Sequence, residues 1–94
     1  MADQQEILRY LHTLSQGTFF TRDLGFYRSR LRHPRYCIVV IDDAVLATAS
    51  AIRRFLRHRN FRTKAIRSGL VVKLLPTKIW MWRTGKERQD TLNW

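Results

Sequence analysis

Tyr36-Cys37-Ile38-Val39-Val40-Ile41-Asp42-Asp43 is the stretch on which the fold turns. Its first six residues are apolar, and four of them are β-branched. Alternate side chains of a strand point to opposite faces, so an unbroken apolar run predicts a central strand covered on both sides. It is the longest apolar run in the chain, far short of the ~20 residues that a membrane helix needs. Cys37, the single cysteine, has no partner for an internal disulfide and cannot by itself furnish a structural zinc site. It reads as a small buried hydrophobe, and a nucleophilic role is disfavoured.

Downstream of this strand, Asp42 and Asp43 are placed to cap a long helix reaching about His58, favoured also by the helix dipole. Val45, Ala49, Ile52 and Leu56 form its expected buried stripe with Phe55 beside it, while Arg53, Arg54 and Arg57 lie opposite. Upstream, Pro34 closes a segment from Thr21 to Arg32 that reads as a helix with Leu24, Tyr27 and Leu31 inward. Gly25 weakens that helix by about 1 kcal/mol relative to alanine. Residues 3–16 read as an amphipathic helix, with Ile7, Leu8, Leu11 and Leu14 on its apolar side, Asp3 as cap and Gly17 as stop.

Beyond the long helix the pattern turns to strands: Phe61 to Arg67, Leu70 to Leu75, a Pro76-Thr77 turn, and Lys78 to Arg83. The expectation is an α+β domain, with two or three helices packed on a small antiparallel or mixed sheet in the order α-α-β-α-β-β-β. A helix followed by a basic hairpin resembles the outline of a winged helix. Residues 1–83 are expected to form the single basic domain, and 84–94 a polar, flexible C-terminal tail from which Trp94 could dock back. At 94 residues there is room for one modest core, and a homodimer would add to it.

Charge is the most unusual property. Eighteen Lys and Arg face seven Asp and Glu, for a net of +11. Residues 1–52 carry six arginines against five acids, and the tail is balanced. Residues 53–83 carry seven arginines and three lysines with no acid. So much like charge costs self-repulsion, and a polyanionic partner is the usual reason to tolerate it. Guanidinium also forks onto phosphates and guanine edges.

The expected nucleic-acid-binding residues are Arg53, Arg54, Arg57 and Arg59 at the helix end, and Arg62, Lys64, Arg67, Lys73, Lys78 and Arg83 on the sheet, gathered on one shared surface. A second basic cluster is Arg28, Arg30, Arg32 and Arg35. In Lys78-Ile79-Trp80-Met81-Trp82-Arg83, strand alternation puts Lys78, Trp80 and Trp82 on one face and Ile79 and Met81 on the other. Either the tryptophans stand outward as a stacking platform or they fill the core and Met81 lies outside.

His12, His33 and His58 lie on separate elements without ligand spacing, and the arginines around His58 should depress its pKa. Asp42 and Asp43 lack the further carboxylates or the lysine of a metal nuclease. No metal, cofactor or catalytic residue is expected, and the chain reads as a non-enzyme. The opening Met-Ala-Asp-Gln-Gln-Glu is unlike a signal peptide, so a soluble, cytoplasmic protein with no membrane partner is expected. Nucleic acid, DNA or RNA, is the leading partner. The alternative is a protein-interaction module (a regulator, inhibitor or assembly subunit) that docks its basic face on an acidic protein.

Overall fold

In the computed structural model, which describes residues 4–13, 16–42 and 48–94, the Tyr36–Ile41 run is a strand with every residue buried. It lies second in a five-stranded mixed sheet whose strands follow chain order: β1 (Gly17–Thr21), β2 (Tyr36–Ile41), β3 (Leu70–Leu74), β4 (Lys78–Arg83) and β5 (Asp90–Asn93). β1, β2 and β3 run parallel, and β4 and β5 return antiparallel. The helices are α1 (Gln4–His12), α2 (Thr48–Arg57) and α3 (Lys64–Arg67). The α+β class is as expected, but the winged-helix outline is not what forms.

Each face of the sheet has its own apolar layer. Cys37, Val39 and Ile41 of β2 join Leu70, Val72 and Leu74 of β3 and Ile79 and Met81 of β4, and α2 closes over them with Ala51 and Phe55. Phe55 stacks on Phe61 with centroids 4.7 Å apart, and both are fully buried. On the other face Tyr36, Ile38, Val40 and Val71 are covered by Leu11 of α1 and by Phe26 and Leu31. Those last two sit in short 3-10 turns, Leu24–Phe26 and Ser29–Leu31.

The β1-to-β2 connection thus crosses one face, and the β2-to-β3 connection, with α2 and α3, crosses the other. Both step the same way across the sheet. Connections that share a direction but pass over opposite faces have opposite hands, so one of the two is of the rare left-handed kind.

Several expectations are corrected. Residues 21–32 do not form a helix: Thr21 ends β1, and the Asp23 carboxylate accepts from the Gly25 N–H at 2.9 Å to start a 3-10 turn. Residues 17–21, between the two helices expected from the sequence, form β1 with Phe19 and Phe20 on opposite faces. Gly17 opens this strand rather than stopping α1, and the left-handed position is Gln16, at φ 59°. Phe61 to Arg67 is not a strand, because the Thr63 hydroxyl caps α3 by accepting from the Ile66 N–H at 3.2 Å. The buried stripe of α2 is turned: Ala51 and Phe55 point inward, while Ala49 and Leu56 are exposed.

Residues 84–94 are tied down more than a free tail would be. β5 pairs along β4, the Tyr27 hydroxyl donates to Gln89 Oε1 at 2.5 Å, and the Trp94 indole N–H donates to the Leu75 carbonyl at 2.8 Å. Asp3, Leu14, Asp43 and Val45 lie outside the described residues.

Candidate functional site

Strand alternation decides which surface carries the chemistry. Ile79 and Met81 point into the α2 layer and are buried. Trp80 and Trp82, one residue out of phase, lie on the opposite face of β4 and are half-buried. Ile79 and Met81 thus take the core positions on the α2 side, and the tryptophans occupy the other face half-buried, Trp82 against its apolar layer. α1 and the 3-10 turns cover the β2 side of this face, and Trp82 packs against that layer together with Phe19 and Tyr27.

The aromatic rings stand among cations. Lys73 projects from β3 on the same face, with Nζ 5.2 Å from the Trp80 ring centroid and 5.6 Å from that of Tyr27. Its ammonium also lies 3.6 Å from Asp42 Oδ2, so its charge is partly answered within the fold. Arg32 lies over Trp82 with its guanidinium carbon 5.8 Å from the ring centre. It donates to the carbonyls of Ser29 and Arg83, each at 2.8 Å, and to the Lys86 carbonyl. Arg32 thereby clamps the β4–β5 turn to the 3-10 turns and is not free to engage a partner. Arg28 and Arg30, beside it, are exposed.

Between these groups lies a cleft of about 370 Å³ lined by Tyr27, Arg28, Ser29, Arg30, Trp82 and Gln89. Two aromatic side chains, two exposed guanidiniums and a carboxamide converge on it. Burial pushes the Tyr27 phenol well above its ordinary range, so it stays a neutral hydroxyl. Its lining offers both ring surface and hydrogen-bond donors.

The cations expected between positions 53 and 83 do not share one surface. Arg53, Arg54, Arg57 and Arg59 are exposed at α2 and the turn after it, and Arg62 and Lys64 are exposed just beyond, in the same crossover. That crossover covers the face opposite to Trp80 and Trp82. Arg83 points the same way as Met81 and lines a separate cleft with Asn60, Ile66 and Asp90. Lys73 and Lys78 lie on the tryptophan face. The reason is the period of two: in one strand the basic residues fall on both parities.

Arg67 has a different role. Only 8% exposed, it donates from Nη1 to the Phe61 carbonyl at 2.8 Å and from Nε to the Thr18 hydroxyl at 3.0 Å. It is an internal strut between α3 and β1.

The secondary cluster, which sequence reasoning set beside the main one, divides as well. Arg28 and Arg30 reach the cleft, Arg32 is the clamp, and Arg35 is exposed beside His33. The histidines, read as scattered, partly meet: the His12 and His33 rings are 4.6 Å apart, and His33 stacks on Tyr36 at 4.9 Å. Among the described residues no group of three His, Cys, Asp or Glu could hold a metal ion, and no helix is long and apolar enough to cross a membrane. Tyr27 is not legible as a site residue because helical spacing places it inward with Leu24 and Leu31, and Gln89 is not because β5, which brings position 89 to the cleft, is not legible. Compared with family models, curated proteins and solved structures, the chain matches none.

Proposed function

We propose that the protein binds single-stranded nucleic acid on the sheet face that carries Trp80 and Trp82. The observation that supports this most directly is the pairing of two half-buried indoles with a cleft walled by Tyr27, Arg28, Arg30 and Gln89. Bases stack on aromatic rings whatever their identity, for about 1–3 kcal/mol each. A duplex hides its base faces, so this surface favours strands whose bases are free.

Three cations on this side, Arg28, Arg30 and Lys78, are exposed and without a carboxylate partner among the described residues. Three phosphate contacts on a single strand give a slope of about −2 for log K against log salt. Lys73, shared with Asp42, adds less.

The test is a titration of labelled oligothymidylate or oligouridylate at several salt concentrations, repeated with W80L/W82L. The double variant should bind at least tenfold more weakly with the same salt slope, since it removes stacking and leaves the phosphate contacts. Binding within twofold of the parent protein would overturn the reading. So would equal competition by polyglutamate of matched charge, which would point instead to docking on an acidic protein.

A further inference from the structure

The arginines of α2 have no part in the tryptophan surface, and their arrangement asks for a partner of its own. Twelve consecutive residues, 53–64, hold six cations and no acid. All six cations (Arg53, Arg54, Arg57, Arg59, Arg62 and Lys64) are exposed, and no carboxylate among the described residues pairs with them. Arg53 and Arg57 are one turn apart on the same side of the helix, a spacing at which like charges destabilise. The neighbouring position that could relieve them holds Ser50, whose hydroxyl accepts from Arg53 at 3.4 Å. Arg54 is held over the Trp94 ring, its guanidinium carbon 4.3 Å from the ring centre. A merely solvated helix gains from interleaved acids; this one has none.

We propose that this side is a second phosphate-binding surface, so that one molecule holds two nucleic-acid segments, one on each side of its sheet. The proposal rests on the tryptophan face binding the first segment. The second is recognised through its phosphodiester backbone, because the aromatic rings described on this side are engaged within the fold: Phe55 and Phe61 are fully buried, His58 lies against Phe61, and Trp94 lies under Arg54. Geometry permits both at once. The molecule measures 23 Å across its thinnest direction, well beyond the screening length of about 8 Å at physiological salt, so the two polyanions scarcely repel each other through solvent.

The experiment immobilises one biotinylated oligothymidylate, adds protein, washes, and measures capture of a second, fluorescent, non-complementary oligonucleotide. Native mass spectrometry counts the chains in each complex. Two variants are compared: W80L/W82L, and R53Q/R57Q/R59Q, which leaves Arg54 on Trp94. Because the three replaced side chains are exposed, the second variant should melt like the parent. We expect the parent to form complexes of one protein and two strands. R53Q/R57Q/R59Q should bind the first strand within threefold of the parent and capture the second at least tenfold less.

Capture unchanged in R53Q/R57Q/R59Q would overturn the proposal. Capture confined to complexes with two protein chains would do the same, since self-association would then account for it. If polyglutamate of matched charge displaces the second strand as well as an oligonucleotide does, the surface does not select phosphate and the proposal falls. Failure of the tryptophan reading has a separate signature, an unaltered first-strand affinity in W80L/W82L. If first-strand binding is instead lost in R53Q/R57Q/R59Q, the helix is the sole site and bridging is excluded.

Discussion

Arg67→Met tests whether a buried arginine with no carboxylate partner among the described residues stabilises this fold. The guanidinium donates to the Phe61 carbonyl at 2.8 Å and the Thr18 hydroxyl at 3.0 Å, and its residue is 8% exposed. Methionine keeps most of the aliphatic stem and removes both donors. Hydrogen bonds from a charged group contribute roughly 1.5–3 kcal/mol each, so two are worth about 3–6 kcal/mol gross. Part of this is offset because the buried cation no longer has to be desolvated. A net loss of about 2 kcal/mol remains, since the Phe61 carbonyl is left without its partner in the protein interior. For a domain of this size that lowers Tm by roughly 10 °C.

The assay is thermal unfolding followed by circular dichroism, with urea titration as a second measure. Arg67→Lys should lie between the two, because a single ammonium cannot span acceptors on α3's preceding loop and on β1 as a fork does. A drop in Tm below 2 °C for Arg67→Met would refute the strut and return Arg67 to the pool of cations open to a partner.

Cys37 should be inert in the native protein: it is fully buried, and burial pushes its thiol up to about 12 against the opposing pull of Arg67. An aromatic disulfide reagent at pH 8 should label it only as fast as the chain unfolds; rapid stoichiometric labelling without denaturant would contradict the packing of β2. For pH, His33 is lowered from its ordinary range, first by burial and then by His12 and Arg35, and His58 by burial and then by Arg59 and Arg54. The unfolded chain therefore binds more protons as pH falls through about 6.5, so the stability held above that value is lost below it. H33Q/H58Q should show a shallower loss of urea midpoint between pH 7.5 and pH 5 than the parent. Parallel curves would refute the assignment.

How much of this was legible in the sequence follows from which interactions are local. The Tyr36–Ile41 strand, the existence of the arginine-faced helix and the Lys78–Arg83 strand were readable because local pattern marks them, although the buried stripe of that helix is turned from the expected one. β1 was missed because Gly17-Thr18-Phe19-Phe20-Thr21 has only two apolar residues, one for each face, and is a strand by virtue of pairing with β2. The 3-10 turns were mistaken for a helix because Leu24, Tyr27 and Leu31 keep helical spacing, while the Asp23 carboxylate favours a tighter turn. For the site, parity along β4 foretold that Trp80 and Trp82 share a face. It could not say that α2 closes over the other face, and that single long-range fact is what divides the cations.

The same parity gives each side of the molecule its own reporter. Trp80 and Trp82 belong to the face with Lys73, whereas Trp94 lies under Arg54 on the α2 side. A protein retaining only Trp94 would emit from one side, and one lacking only Trp94 from the other. Fluorescence from two such variants would reveal which surface a ligand has reached, and in which order when two ligands compete.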